Sequence, residues 1–160
     1  GLCGLVKIKQ EEAMTAKEYL SQYRYININI NNKIAQQERL RELATCVSPS
    51  SDGCGHNSGV SDKVGSLCAK IADLDAEINA EIDKLVDVQK DIMQTISRID
   101  DERLRVILVI SSLDLTFDCC KTFEQIADDI HYSYMQTFRL HGQALAAVQN
   151  VIECYNSSVV

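Results

Sequence analysis

Residues 62–99 carry a seven-residue hydrophobic repeat, and no other feature of this 160-residue chain limits its fold so tightly. Val64, Ile71, Ile78, Leu85, Ile92 and Ile99 recur at intervals of seven, with Leu67, Leu74 and Val88 at the intermediate positions. Glu81 and Thr95 interrupt that second row. A seven-residue repeat keeps one stripe of a helix turned toward a partner, so it predicts a long coiled-coil-like helix. The stripe has to be covered. Each large apolar side chain contributes on the order of 1.5–3 kcal/mol on leaving water, before the entropy of ordering it is subtracted.

The nearest partner is the segment 15–46. Tyr19, Tyr23, Ile26, Ile30, Ile34 and Leu40 recur at helical steps there, with one turn skipped at Gln37. Tyr25 to Asn31 alternates like a strand, but the helical spacing on both sides predicts helix. Pro, Gly, Ser, Asn and Asp dominate residues 48–61, which predicts a loop. Charge favours pairing across that loop. Residues 14–47 hold five basic and three acidic side chains, net +2, and residues 62–101 hold five basic and ten acidic, net −5. The expectation is an antiparallel helical hairpin over residues 14–99. A homodimer through the seam is the competing arrangement, and a dimer of hairpins satisfies both.

The net charge of −7 excludes a protein that grips nucleic acid through general basicity. Seven cysteines at irregular spacing suggest neither a disulfide framework nor a zinc ribbon, and Cys46, Cys54, His56 and Cys68 match no common zinc spacing. Reduced thiols fit a cytoplasmic chain, and no apolar run is long enough to cross a bilayer. The carboxylates of residues 73–87 lack the Glu-x-x-His pairs of a metal-binding bundle, so they read as a solvated face. No catalytic constellation, metal or cofactor is expected. Residues 1–13 lack a sustained helical period and precede Met14, where a good helix opens. They read as an extension ahead of the natural start, or else as a flexible N-terminal arm.

Residues 100–155 hold the second unit, with 156–160 as a tail. Residues 101–110 suggest a short apolar helix. Beyond it, Thr122-x-x-Gln125 and Ser133-x-x-Gln136 each place a hydroxyl cap three residues before a glutamine able to return the bond. Two helix starts so close together, with small Ala127 allowing close approach, predict a helix-turn-helix. His131 stands where a glycine often makes the turn. Thr137 stands where such helices usually bury an aliphatic side chain.

These residues carry a resemblance. Asp101 to Val148 resembles region four of bacterial sigma factors: a short apolar helix, then Thr122-Phe-Glu-Gln-Ile-Ala127, then a recognition helix opened by Ser133 and ending Arg139-Leu-His-Gly-Gln-Ala-Leu145. With Thr15-Ala-Lys-Glu-Tyr-Leu20 and the coiled middle, most of residues 14–150 is similar to small proteins of Gram-positive prophages and integrated elements. The resemblance implies DNA and RNA polymerase as partners and a role akin to phage late-gene regulators. It implies that Tyr134, Gln136, Thr137, Arg139 and Gln143, with Ser133 at the helix start, face the groove or nearby phosphates. Lys121 and the capped start at Thr122 would hold a phosphate.

Residues 121–155 contain Lys121 and Arg139 as permanent cations against Glu124, Asp128, Asp129 and Glu153. Few neutralised phosphates mean weak affinity and a shallow salt dependence. The expected function is therefore a sigma-like regulator that binds DNA weakly and relies on a protein partner or a second copy. The alternative is a coiled-coil interaction protein whose helix-turn-helix no longer binds DNA.

Overall fold

A computed structural model describes residues 14–46, 58–113 and 121–158. The expected N-terminal extension (1–13), most of the expected loop, and Cys119 and Cys120 lie outside the described residues. The fold is all-α, with no strand among the described residues. The helices are α1 (Ala16–Cys46), α2 (Ser58–Ser97), α3 (Glu102–Ser112), α4 (Phe123–Ile130) and α5 (Tyr134–Ser158).

Helix α1 opens on a reciprocal cap. The Thr15 backbone N–H donates to Glu18 Oε2 at 2.9 Å, and the Glu18 N–H donates to Thr15 Oγ1 at 3.3 Å. The Thr15 N–H, with the Thr15 hydroxyl donating to the same oxygen at 2.8 Å, holds the Glu18 carboxyl below its ordinary pKa. The alternating stretch at Tyr25–Asn31 is helical throughout, because Ile26 and Ile30 bury on one face while Tyr25 stays 66% exposed.

Helices α1 and α2 run antiparallel. Tyr19 meets Asp91 and Thr95, Lys33 meets Glu77 and Glu81, and Gln37 meets Ile71 and Asp75. The stripe that α1 turns to α2 is itself a seven-residue repeat. Tyr23, Ile30, Gln37 and Ala44 form one row, Tyr19, Ile26, Lys33 and Leu40 the other, and all eight are buried or half-buried. Ile34, expected in the seam, is instead 38% exposed. The polar neighbours Lys33 and Gln37 occupy the contact in its place, because strict seven-residue stepping from Ile26 and Ile30 lands on them.

The two interruptions of the α2 seam are answered from α1. Lys33 Nζ lies 3.1 Å from Glu77 and 3.9 Å from Glu81. The Tyr19 hydroxyl lies 2.6 Å from Asp91 Oδ2 and 2.9 Å from Thr95 Oγ1. Gln37, 4% exposed, donates to the Asp75 carboxylate and to the Ile71 carbonyl. Polar groups at seam positions lower stability and fix register, since a slipped pairing would leave them unbonded.

Burial pushes the Tyr19 phenol up to about 12, and the hydrogen bond to Asp91 adds to the rise. A raised folded-state pKa means that the contribution is fully present below about pH 10 and is lost as pH climbs through about 12. Tyr19→Phe should lower stability at neutral pH by about 1 kcal/mol. It should also flatten the stability profile above about pH 10 relative to the parent chain. Urea midpoints of both chains between about pH 8 and about pH 12 test this; parallel profiles would refute it.

Val64, Leu67, Ile71, Leu74, Leu85 and Val88 are half-buried, and Ile78 and Ile92 are buried. Two boundaries differ from expectation. Helix α2 begins at Ser58, inside the expected loop 48–61. It ends at Ser97, so Ile99 is buried from a turn rather than from the helix seam. The Ile99 N–H bonds to the Ile96 carbonyl at 3.1 Å, tightening that turn. Asp101 then caps α3, accepting from the Arg103 N–H at 2.9 Å, and the Arg103 guanidinium holds its carboxyl below the ordinary range.

The largest core forms where four helices meet. Ala16 and Leu20 of α1, Ile92 and Ile96 of α2, Leu104 and Leu108 of α3, and Ala144 and Val148 of α5 pack together, with Ile99 and Leu113 from the turns. It draws on both sides of residue 100. Val106, in the apolar run of α3, points outward at 41% exposure. Helix α5 continues to Ser158, into the expected tail.

Candidate nucleic-acid interface

Local bonding fixes the α4–α5 pair. The Thr122 N–H donates to Gln125 Oε1 at 2.9 Å, and the Gln125 N–H donates to Thr122 Oγ1 at 3.3 Å. Eleven residues on, the Ser133 and Gln136 N–H groups make the same exchange at 3.3 Å each. Between them, His131 adopts the left-handed conformation, φ 56° and ψ 39°. Its N–H reaches the Asp128 carbonyl at 3.2 Å, and the Tyr132 N–H reaches Ala127 at 3.0 Å. That is a Schellman turn with an imidazole where glycine is usual.

His131 is exposed, so the strain of its backbone is not offset by packing. His131→Gly should raise stability by about 0.5–1 kcal/mol, the relief of the left-handed conformation less the extra entropy of glycine. Denaturant unfolding reads this directly. An unchanged or lower midpoint would mean that the imidazole is held by contacts that the exposed turn does not show.

Phe123, at the first turn of α4, anchors the pair. Its ring meets Tyr134, Phe138 and His141 edge-on, with centroids 6.5, 5.7 and 5.0 Å away. Sequence reasoning passed over Phe123. Its signal was a large aromatic directly after a helix cap, beside a helix carrying aromatics at three- and four-residue steps. Ile126 and Ala127 are buried beneath it.

The proposed contact residues fare differently. Thr122, Ser133 and Gln136 are exposed, but their polar groups are engaged in the two caps. Lys121 is half-buried and pairs with Asp129 at 2.7 Å. Thr137 is fully buried, so its expected groove contact is corrected: it fills the buried position itself. Its hydroxyl donates to the Ser133 carbonyl at 3.0 Å, which makes burial of the polar group tolerable.

Tyr134, Arg139 and Gln143 remain exposed on α5, and Arg139 has no ion pair among the described residues. Met135 and Phe138 stand on the same helix at 59% and 55% exposure. The outward surface therefore mixes one guanidinium with apolar and amide groups, and Glu124 and Asp128 lie exposed on α4.

Among the described residues, no group of His, Cys, Asp and Glu is placed to hold a metal ion. Cys46, Cys68 and Cys154 are free and exposed, while Cys54 and His56 lie outside the described residues. No helix there is long and apolar enough to cross a membrane. No protein-family model, curated protein or solved structure matches this chain.

Proposed function

We propose that the chain is a sigma-like transcriptional regulator of the phage type. In this reading α4 and α5 form a helix-turn-helix that touches DNA weakly. Helices α1 and α2 form a coiled-coil-like hairpin that docks RNA polymerase or pairs with a second copy, raising the effective concentration of the weak DNA contact. The observation that supports it is the α4–α5 unit: two capped helices joined by a single tight turn, with Tyr134, Arg139 and Gln143 exposed on the second. An exposed stripe of Ile82, Val86 and Met93 on α2 gives the hairpin an apolar face beyond its own seam.

The test is a fluorescence titration at low salt with random duplex and with promoter DNA from the element that carries the gene, with and without RNA polymerase. Arg139→Ala should weaken duplex binding by about 1–3 kcal/mol. Absence of binding under every condition would sink the proposal.

A second reading draws on the same surface. Met135 and Phe138 are exposed, Thr137 is buried and Lys121 is paired, a composition closer to a protein-docking face than to a phosphate grip. A chain of that kind would be a coiled-coil interaction protein whose helix-turn-helix no longer binds DNA, and Arg139→Ala would be silent.

A further inference from the structure

A chain of net charge −7 would not be expected to gather cations, yet it does so in one cavity of about 270 Å³. The walls come from the first turns of α1, the end of α3, the start of α4 and the middle of α5. Lys17, Arg24 and Lys121 line it together with His141, Ser21 and Ser112, beside the apolar Phe123 and Leu145. Lys17 and Arg24 stand two helical turns apart on one face of α1. Neither has an ion pair among the described residues. Lys121 is already held by Asp129, so among the described residues the site keeps an excess of about two positive charges.

We propose that this cavity binds a phosphoryl group. The residue types suit that ligand: a guanidinium fork and ammonium groups for charge, with the His141 imidazole and the Ser112 hydroxyl for the remaining oxygens, the Ser21 hydroxyl being given to the Lys17 carbonyl. The volume suits it as well. It falls just under the roughly 300–1,000 Å³ of sites for whole small molecules, so it accepts a phosphoryl group whose ester arm extends outward. The site lies largely outside the surface expected to meet DNA, and Lys17 and Arg24 come from the N-terminal helix, far in sequence from the helix-turn-helix. The inference therefore stands whether or not the chain binds DNA. The phosphoryl group can belong to a DNA backbone or to a free phosphorylated molecule.

His141 is a built-in reporter. Burial and the neighbouring Lys17 charge hold its imidazole below the ordinary pKa. The charged groups lining the cavity around it are Lys17 and Arg24 from α1 and Lys121, with its Asp129, at α4, while α3 contributes only serine hydroxyls among the described residues. A bound anion would offset the Lys17 charge and raise the pKa.

The experiment follows the histidine resonances of the full chain by NMR while inorganic phosphate is added, with exposed His131 as internal reference. Short random duplex is titrated in parallel. Phosphate should raise the His141 pKa and leave His131 unmoved. In Lys17→Ala/Arg24→Ala, whose changed side chains are exposed, phosphate affinity should fall at least tenfold. A shallower salt dependence of duplex binding in that variant, by nearly two phosphates' worth, assigns the ligand to the DNA backbone. An unchanged duplex titration beside a lost phosphate response assigns it to a free phosphorylated molecule. If duplex never binds but phosphate still moves His141, the cavity stands and the DNA proposal falls. A His141 pKa indifferent to phosphate, or an equal response in the double variant, overturns the site.

Discussion

Ile92→Ala should cost about 2–5 kcal/mol and lower the melting temperature by roughly 2–4 °C for each kcal/mol lost. Ile92 is 0% exposed and sits in the core shared by α1, α2, α3 and α5. Removing its side-chain carbons leaves a cavity whose walls belong to four different helices, so no single helix can shift to refill it. The effect should therefore appear as one lowered transition that includes the C-terminal helices. Calorimetry and far-UV circular dichroism measure this together. Two separated transitions, with α3–α5 melting at the parent temperature, would show that the shared core does not couple the two ends of the chain.

Ala144→Leu should cost about 1–3 kcal/mol for the opposite reason. Ala144 is 0% exposed where α5 crosses the core, beside Val148 and the α3 leucines. A methyl group is all that the site holds, and a larger side chain must push α5 away from α3. The Phe123 ring rests on His141 of the same helix at 5.0 Å, so the displacement should also disturb the aromatic cluster that fixes α4. Denaturant midpoints and the near-UV aromatic spectrum read the two consequences. An unchanged midpoint with an unchanged spectrum would mean that α5 is not seated as tightly as the burial of Ala144 implies.

Much of this fold was legible because its signals are local or periodic. The α2 repeat required a long helix with one buried stripe, and every seam residue from Val64 to Ile92 is at least half-buried. The caps at Thr122 and Ser133 were readable because each bond closes within three residues. Where apolar pattern and polar exception competed, the sequence misled. Ile34 fits the seam by its helical step from Ile30, yet Lys33 and Gln37 take the contact because seven-residue stepping lands on them, and Glu77, Glu81 and Asp75 answer them from α2. The candidate site was legible in outline and not in its assignments. The resemblance implies a groove contact for Thr137, but its place in the first turn of α5 turns it into the core. Phe123 needed three α5 residues as neighbours before its role was visible.

The sequence by itself determined the helices, since the seven-residue repeat, the helix caps and the scarcity of proline are properties of neighbouring residues. Even so, the end of the α2 repeat escaped it, because periodicity continues through Ile99 although the helix stops at Ser97. Tertiary structure alone decided what the repeat is buried against and which polar residues share the burial. It also joined Lys17 and Arg24 to Lys121 and His141 across 97 residues or more. The physical reason is that helix formation is settled by bonds a few residues apart, whereas charge and apolar surface find their partners through packing. The α2 stripe requires an interface, and α1 sets its register through Tyr19, Lys33 and Gln37.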